Sequence, residues 1–346
     1  MIARILFIAL FSLVLTGCLG GERFVDVDLR TTEHWGAVKV FDPQETPADA
    51  AASKGAPKGT LNVLALSGGG ADGAFGAGVL TGWTETGTRP SFDVVTGVST
   101  GALQATFAFL GPQYDPILVD LYTDTHSHEI FTHRGVAGLL GDSLMDTDAL
   151  AEKIASIVTP DLLAKVAAEH RKGRRLYIAT TNLDAGTVTV WDMGKIAASD
   201  SADRIGLYHE VLRASAAVPG YFEPVIIHPA KGTEGDHGQM HVDGGVKAPV
   251  LLRSFMVEGR YAQKNVYLLV NGSMRLKSGT SAVTANIGGI AKKSIAELLR
   301  GLLYKTVYQA YVVVKQSKGE FNLAYVPDDV NETHDPLEFD PTEMRM

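Results

Sequence analysis

The sequence predicts an α/β fold, a three-layer α/β/α arrangement with a central, mostly parallel β-sheet. Short apolar runs that stop at glycines alternate with longer segments of helical periodicity, which is typical of βαβ units. Runs that are apolar throughout indicate strands covered on both faces, as in a parallel sheet between helices. The chain has 346 residues, 45% of them hydrophobic and 20% charged. This composition indicates one large globular domain or two small ones and excludes wholesale disorder.

Five segments predict strands because they are apolar and end at turn residues. They are Leu61–Leu66, Phe92–Thr96, Arg175–Asn182, Thr187–Trp191 and Val266–Val270. The third and fourth segments flank Asp184-Ala185-Gly186, which is typical of a β-hairpin.

Four segments predict helices, namely Thr100–Leu110, Asp148–Val158, Pro160–His170 and the long stretch Ile287–Lys318. Apolar residues recur at helical spacing along the last of them, at Ile295, Leu298, Leu299, Leu302, Leu303 and Val307. This apolar face fits the interior of the domain as well as a contact between subunits, so the sequence leaves the oligomeric state open.

The first residues of the chain are typical of a bacterial export signal. Arg4 precedes the apolar run Ile5–Leu15, which is shorter than the ~17–25 residues of a membrane-spanning helix. The next residues, Leu15-Thr16-Gly17-Cys18, resemble a lipobox, in which cleavage leaves an acylated, palmitate-bearing cysteine at the new N-terminus. Cys18 is the only cysteine, which excludes intrachain disulfides and multi-cysteine zinc sites. An ordinary signal peptide with a buried thiol is the alternative.

These features divide the chain into a lipoprotein signal peptide (1–17), a lipidated tether and lead-in (18–60) and one catalytic-size domain (61–346). Leu19 rather than an aspartate follows Cys18, a pattern that resembles outer-membrane sorting in Gram-negative lipoproteins. We therefore expect an exported protein anchored to the outer membrane, on its periplasmic or surface face, rather than to the inner one. The formal charge of −8 argues against nucleic-acid binding and against a strong overall attraction to anionic lipid.

A glycine-rich loop follows the first predicted strand. Gly68, Gly69, Gly70 and Gly73 lie between that strand and a helix, where backbone N–H groups and the helix N-terminus can bind an anionic atom. Three of them also fit the dinucleotide motif G-x-G-x-x-G. That motif requires an acidic residue at the end of the next strand, whereas Asp93 lies at its start.

The end of that next strand carries a G-x-S-x-G sequence, Gly97-Val98-Ser99-Thr100-Gly101. An apolar strand precedes it and a helical segment follows, which is the context of a nucleophile elbow. Gly97 and Gly101 allow the tight turn that exposes the hydroxyl of Ser99. The sequence offers two bases for this serine, His241 and Asp243, and Asp243 precedes two glycines that favour a turn.

These three motifs, in this order, resemble the patatin-like phospholipase family from about Leu61 to the C-terminus. A fourth block, Ala214–Pro224, is similar to the family's Ala-Ser-x-Ala-x-Pro-x-x-Phe-x-Pro sequence. The resemblance implies that Ser99 is the nucleophile and Asp243 its partner in a dyad without histidine. It also implies an oxyanion hole formed by Gly68, Gly69, Gly70 and Gly73. The fourth block is expected to pack around the site without reacting.

The resemblance further implies a lipid acyl hydrolase of the phospholipase, lysophospholipase or esterase type, which acts on membrane lipid or another acyl ester through an acyl-enzyme. No cofactor and no metal ion are expected, since no calcium-loop motif is visible. One departure concerns Asp72, because the family usually has Arg or Lys before the last glycine of this loop. We expect Asp72 to point away from the oxyanion or to pair with a basic residue.

Two alternatives remain open at this point. One is an α/β-hydrolase with a Ser-Asp-His triad of Ser99, His241 and either Asp184 or Asp192, an order that fits such enzymes. The other is a catalytically silent lipid-binding lipoprotein in which Asp72 reflects lost activity. The head group, acyl-chain length and positional preference of a substrate are not determined by the sequence.

Overall fold

A computed structural model describes residues 37–38, 58–135, 141–228, 238–274, 283–327 and 338–345. The predicted signal peptide, Cys18 and most of the tether lie outside these ranges, so export and acylation stay predictions.

The described strands fall into one nine-stranded sheet and a separate pair formed by β4 and β5. In chain order they are β1 (Ala37–Val38), β2 (Lys58–Leu66), β3 (Val94–Gly97), β4 (Thr132–His133), β5 (Met145–Asp146), β6 (Arg175–Asn182), β7 (Thr187–Asp192), β8 (Val225–Ile227), β9 (Gln239–Asp243), β10 (Tyr261–Ser273) and β11 (Glu320–Val326).

The described α-helices lie between the strands of the large sheet or follow them along the chain, singly or in consecutive pairs. They are α1 (Gly73–Glu85), α2 (Thr100–Leu110), α3 (Asp115–Thr123), α4 (Asp148–Ile157), α5 (Pro160–Arg171), α6 (Met193–Ala198), α7 (Arg204–Ser215), α8 (Ile287–Gln316) and α9 (Pro341–Met344). Among these helices, none combines the length and the apolar content needed to cross a membrane.

The large sheet has the strand order β1-β7-β6-β3-β2-β10-β11. Its five strands from β6 to β11 are parallel to one another, whereas β7 runs antiparallel to both of its neighbours. In β2, Leu64 and Leu66 face a core shared with α1–α7, and Val63 and Ala65 face a second core beneath α8. The predicted three-layer α/β/α fold with a mostly parallel sheet is confirmed.

One edge of β6 is shared by two strands that approach from opposite directions. β3 pairs in parallel with the first half of β6, where Gly97 lies opposite Ile178. β9 pairs antiparallel with the second half, where Asp243 lies opposite Thr180. The carboxyl ends of both strands therefore meet beside Ala179. From these two ends the chain continues into the G-x-S-x-G and Asp-Gly-Gly sequences.

Two pieces of the segment predicted as tether belong to the sheet. Ala37 and Val38 form β1 on the edge of β7, and β2 begins at Lys58. β1 pairs with backbone N–H and C=O groups of β7 that would otherwise lie at the open edge of the sheet, which is the physical reason for a strand at Ala37–Val38. The predicted strands and helices are all present. Several further elements were not predicted, among them β8, β9, β11 and α7.

Candidate active site

Ser99 occupies a strained turn between β3 and α2. Its backbone angles, φ 55° and ψ −127°, lie in a region that residues with a side chain rarely adopt. A Cβ on Gly97 would overlap the backbone of Gly101, and one on Gly101 would overlap the backbone at the end of β2. Both glycines are thus required by close packing, and the turn has the geometry of a nucleophile elbow.

The hydroxyl of Ser99 lies close enough to the carboxylate of Asp243 to lower the pKa of that carboxyl. The two side chains meet because β3 and β9 end at the same place on β6. Asp243 is 5% exposed, and its Oδ1 accepts a 2.6 Å hydrogen bond from the N–H of Gly245. Burial raises the pKa of Asp243 to about 6, against the lowering effects of the Ser99 and Gly245 hydrogen bonds. The carboxylate is therefore a stronger base than an exposed aspartate, yet it is mostly ionised at pH 7.

Ser215, in the Ala-Ser-x-Ala block, links the two halves of this pair. Its Oγ accepts a 3.0 Å hydrogen bond from the N–H of Ser99 and donates a 2.8 Å bond to the carbonyl of Ala179. Two residues later, the carbonyl of Ala217 accepts the N–H of Asp243 at 2.9 Å. The block thus holds Ser99 and Asp243 in place. Sequence reasoning gave it a packing role and missed these hydrogen bonds.

The amides of the glycine-rich loop differ in their availability. The N–H of Gly68 donates to the carbonyl of Pro249 at 3.2 Å, and the N–H of Gly73 donates within its own turn. The amides of Gly69, Gly70 and Thr100 have no acceptor among the described residues. Of the four glycines implied for the oxyanion hole, Gly69 and Gly70 can therefore donate, and Thr100 N–H is a third candidate.

The N–H groups of Gly68 and Gly73 are already used within the protein, so these two glycines matter because they have no side chain. A Cβ on Gly68 would lie 3.1 Å from the Cβ of Ser99, and one on Gly73 would overlap the side chains of Thr100 and Tyr122. Both glycines thus let the loop pack closely against the elbow.

A buried polar network fixes the loop from behind. The Asn271 side chain donates to the carbonyl of Ser67 at 2.9 Å and accepts the N–H of Gly76 at 3.1 Å. Gln104 donates to the carbonyl of Gly73 at 2.5 Å and accepts from Asn271 at 3.2 Å. Because a buried amide is stable only when its hydrogen bonds are satisfied, this network defines one loop conformation. The sequence did not point to either amide residue, since their partners lie far away along the chain.

An apolar cavity of about 70 Å³ adjoins the site, and Gly70, Ser99 and Thr100 form part of its wall. The rest of the wall comes mainly from apolar side chains of α2, α3, α4 and α7, together with Phe222 and Phe339. Lys153 is charged, and its Nζ turns to Thr125 Oγ1 at 2.5 Å and to Glu129 at 3.7 Å. The cavity is thus narrow and apolar beside the serine, which suits an alkyl chain.

Asp72 lies on the other side of the loop. It is the residue before α1 and lines a separate cavity with residues of α3 and the C-terminal segment. The helix N-terminus beside it favours a carboxylate. The expectation that Asp72 points away from the oxyanion site agrees with this placement.

His241 is part of the sheet core. Its Nδ1 lies 2.9 Å from Thr180 Oγ1, and its ring packs against Trp191. Of the acids considered for a triad, Asp184 accepts the N–H of Met240 at 2.6 Å, and Asp192 accepts the N–H of Lys195 at 2.9 Å. These contacts favour the arrangement of Ser99 with Asp243 over the triad.

One group of carboxylates has the spacing of a metal site. Asp146, Asp148 and Glu223 bring oxygen atoms within 4.8 Å of one another. The guanidinium of Arg134 already contacts Glu223 and lies 3.6 Å from Asp146. An internal cation thus balances this cluster.

Replacement of Ser215 by alanine leaves two buried polar groups, the Ser99 N–H and the Ala179 carbonyl, without their partner. We expect kcat to fall roughly tenfold to 100-fold with little change in KM, because the elbow is misplaced by a fraction of an ångström. The stability cost should be about 1–3 kcal/mol. Steady-state kinetics on a short-chain ester and urea unfolding measure the two effects.

Thr96→Val is the matched control for Ser215→Ala. Thr96 lies in β3 of the same sheet, and its hydroxyl donates a buried 2.6 Å hydrogen bond to the carbonyl of Leu251, which the substitution removes. The control should lose stability while kcat stays near that of the wild type. Equal kcat values in the two variants would contradict a positioning role for Ser215.

Replacement of Asp243 by asparagine should stabilise the fold at pH 7. The pKa of the folded carboxyl is raised from 3.8 to about 6. Between these two pH values, the folded state therefore keeps a proton that the unfolded chain has released. Wild-type stability therefore falls as the pH rises through this window. Asparagine avoids the buried charge, which predicts a gain on the order of 2 kcal/mol at pH 7 in urea unfolding.

This gain should vanish below about pH 4, where the wild-type carboxyl is protonated in the unfolded chain as well as in the folded state. Asp161→Asn is the control, since Asp161 is exposed in the first turn of α5 and should give no gain. A gain at pH 7 that persists unchanged at pH 3.5 would contradict the buried-charge explanation.

A model of the patatin-like phospholipase family matches residues 64–256, which is more than half of the chain. No curated protein matches. Among solved structures, the crystal structure of VipD from Legionella pneumophila is similar, with 15% sequence identity and a TM-score of 0.33. The alignment covers 70% of this chain and 53% of VipD, so the chain spans about half the length of that protein. On the match of the family model, the chain belongs to the patatin-like phospholipase family.

Proposed function

We propose that the protein hydrolyses carboxylic esters of lipids through a covalent acyl-enzyme formed on Ser99. The observation that carries this proposal is the buried carboxylate of Asp243 beside Ser99, whose own side chain is part of the wall of an apolar cavity. The match to the family model supports the lipid class of the substrate. Phospholipids, lysophospholipids and simpler esters all fit this chemistry.

In the first step Asp243 takes the proton of the Ser99 hydroxyl while the oxygen attacks the ester carbonyl. A raised pKa makes the carboxylate a better base, and about nine-tenths of it is ionised at pH 7. The negative oxygen of the tetrahedral intermediate accepts hydrogen bonds from the free amides of Gly69, Gly70 and Thr100. The N-terminus of α2 adds a favourable partial charge.

Collapse of the intermediate expels the alcohol, which takes the proton from Asp243. The acyl group stays on Ser99 with its alkyl chain in the apolar cavity. Water then attacks the ester while Asp243 takes one of its protons. As the bond between the acyl carbon and the Ser99 oxygen breaks, Asp243 returns this proton to Ser99 and the fatty acid leaves. Every step uses the same carboxylate, so no second acid or base is needed.

The test is ester hydrolysis by four versions of the chain: wild type, Ser99→Ala, Asp243→Asn and His241→Asn. We expect loss of activity in Ser99→Ala and a loss of about 10²–10⁴-fold in Asp243→Asn. His241→Asn keeps a polar group for the contact with Thr180 and should retain most activity. In the wild type, kcat/KM should fall about tenfold per pH unit below pH 6, because Asp243 becomes protonated.

Other outcomes would replace the proposal. A loss in His241→Asn as large as that in Asp243→Asn would support the Ser-Asp-His triad. If the folded wild type hydrolyses no ester and is not labelled by a serine-reactive phosphonate, a silent lipid-binding protein is the better explanation.

The location of the protein is a separate part of the proposal. The lipobox-like sequence supports attachment of acyl chains to Cys18 and anchoring to the outer membrane. Radiolabelled palmitate should be incorporated by the wild type in a Gram-negative host, and Cys18→Ser should abolish this labelling. Ser99→Ala is the control, since it lies far from the lipobox in sequence and should be labelled normally. Labelling that persists in Cys18→Ser would contradict acylation at this residue.

A further inference from the structure

The first half of α8 carries an apolar stripe that is largely exposed. Ile295, Leu298 and Leu299 are 56%, 72% and 43% exposed, and Leu302 and Leu303 continue the stripe with partial burial. Spacings of three and four residues place all five on one side of the helix. From Leu303 onward the helix packs against the core on the sheet. Residues 287–303 are called the helix arm below.

We propose that the helix arm lies in the surface of a phospholipid membrane and holds the Ser99 site against that surface. The inference deepens the proposed function, on which it rests for the nature of the substrate. It adds the element that docks the enzyme on the lipid.

The position of the arm relative to the site follows from the sheet. β2, β3 and β10 are parallel, so the elbow after β3 and the end of β10 lie at the same edge. The Tyr304 hydroxyl donates to the carbonyl of Met274, the residue after β10, so the helix passes this edge at Tyr304. At 1.5 Å per residue, the arm is ~25 Å long, and it begins at this contact with the sheet edge. Two strand spacings, ~10 Å, separate β10 from β3.

Opposite the stripe, the arm carries polar side chains between Lys293 and Arg300, with more positive than negative charge. Lys293 and Arg300 lie on either side of Glu297, at 2.7 Å and 3.9 Å, and the exposed Lys305 follows. This contrasts with the formal charge of −8 for the whole chain. A helix with an apolar stripe and a basic polar side is suited to the interface of an anionic bilayer.

A second copy of the chain is the less suitable occupant. The five stripe positions between Ile295 and Leu303 span fewer than two heptads, whereas a stable coiled coil requires about three or four. A bilayer needs no such length, because it accepts apolar side chains one by one. The arm also lies at the edge of the sheet where a lipid substrate would have to enter, which a dimer would not explain.

A fluorescent label tests the position of the arm without using activity. The full chain with Cys18→Ser and Leu298→Cys has one thiol, which is coupled to nitrobenzoxadiazole. Vesicles of phosphatidylethanolamine and phosphatidylglycerol should shift its emission to the blue, and nitroxide lipids should quench it. The same label at Leu183, which is 46% exposed on the hairpin after β6, should show neither effect.

Absence of quenching at position 298, or equal quenching at 183, would overturn the proposal. So would a blue-shifted emission at 298 that needs no vesicles and disappears on dilution, since a second copy of the chain would then cover the stripe. The fluorescence readout does not depend on hydrolysis. It therefore tests membrane docking by the helix arm even if the protein hydrolyses no ester.

Enzyme kinetics are the second part of the test. The triple variant Ile295→Gln, Leu298→Gln and Leu299→Gln should lose at least about tenfold of its activity on these vesicles, because three inserted apolar side chains are removed. Its activity on a soluble short-chain ester should stay unchanged, and Leu183→Gln should be normal in both assays. Equal loss of both activities in the triple variant, or loss of neither, would contradict docking by the arm.

Discussion

The candidate active site depends on the junction at Ala179, where β3 and β9 end on the same edge of β6. Ala179 pairs with neither strand on this edge, and its carbonyl is satisfied by the hydroxyl of Ser215, which also accepts the N–H of Ser99. The positive φ of Ser99 and the buried charge of Asp243 are both unfavourable on their own. The rigid sheet and the Ser215 bridge make them tolerable together.

In the proposed mechanism, the same junction places a carboxylate where many serine hydrolases have an imidazole. Strand β9 delivers its last residue, Asp243, directly to Ser99, whereas His241 lies two residues back, ~6.6 Å along the strand, against Thr180 and Trp191. An aspartate in water is too weak a base for a serine hydroxyl. Burial raises its pKa to about 6, so the fold supplies the basicity that the side chain lacks.

The sequence predicted the central sheet well because its strands are apolar runs with clear glycine boundaries, as in β2 and β6. It placed Ser99 because the elbow motif is local. β9, Gln239–Asp243, was missed since two of its five residues are apolar, and its identity as a strand comes from pairing with β6. The roles of Ser215 and Asn271 were unpredictable for the same reason, because their partners lie 116 and 195–204 residues away along the chain.

Transfer of an acyl chain from a bilayer into the cavity beside Ser99 exchanges one apolar environment for another. The hydrophobic effect therefore contributes little to this step, because the chain has already left water when it is in the membrane. The step is limited by the distance between the bilayer and the cavity. Over that distance the alkyl chain would be exposed to water, at a free-energy cost of ~0.8 kcal/mol per CH₂. A helix that holds the sheet edge against the bilayer shortens that distance. The narrow apolar cavity and the helix arm are thus two parts of one requirement, since the cavity is accessible to a membrane lipid only when its edge lies on the membrane.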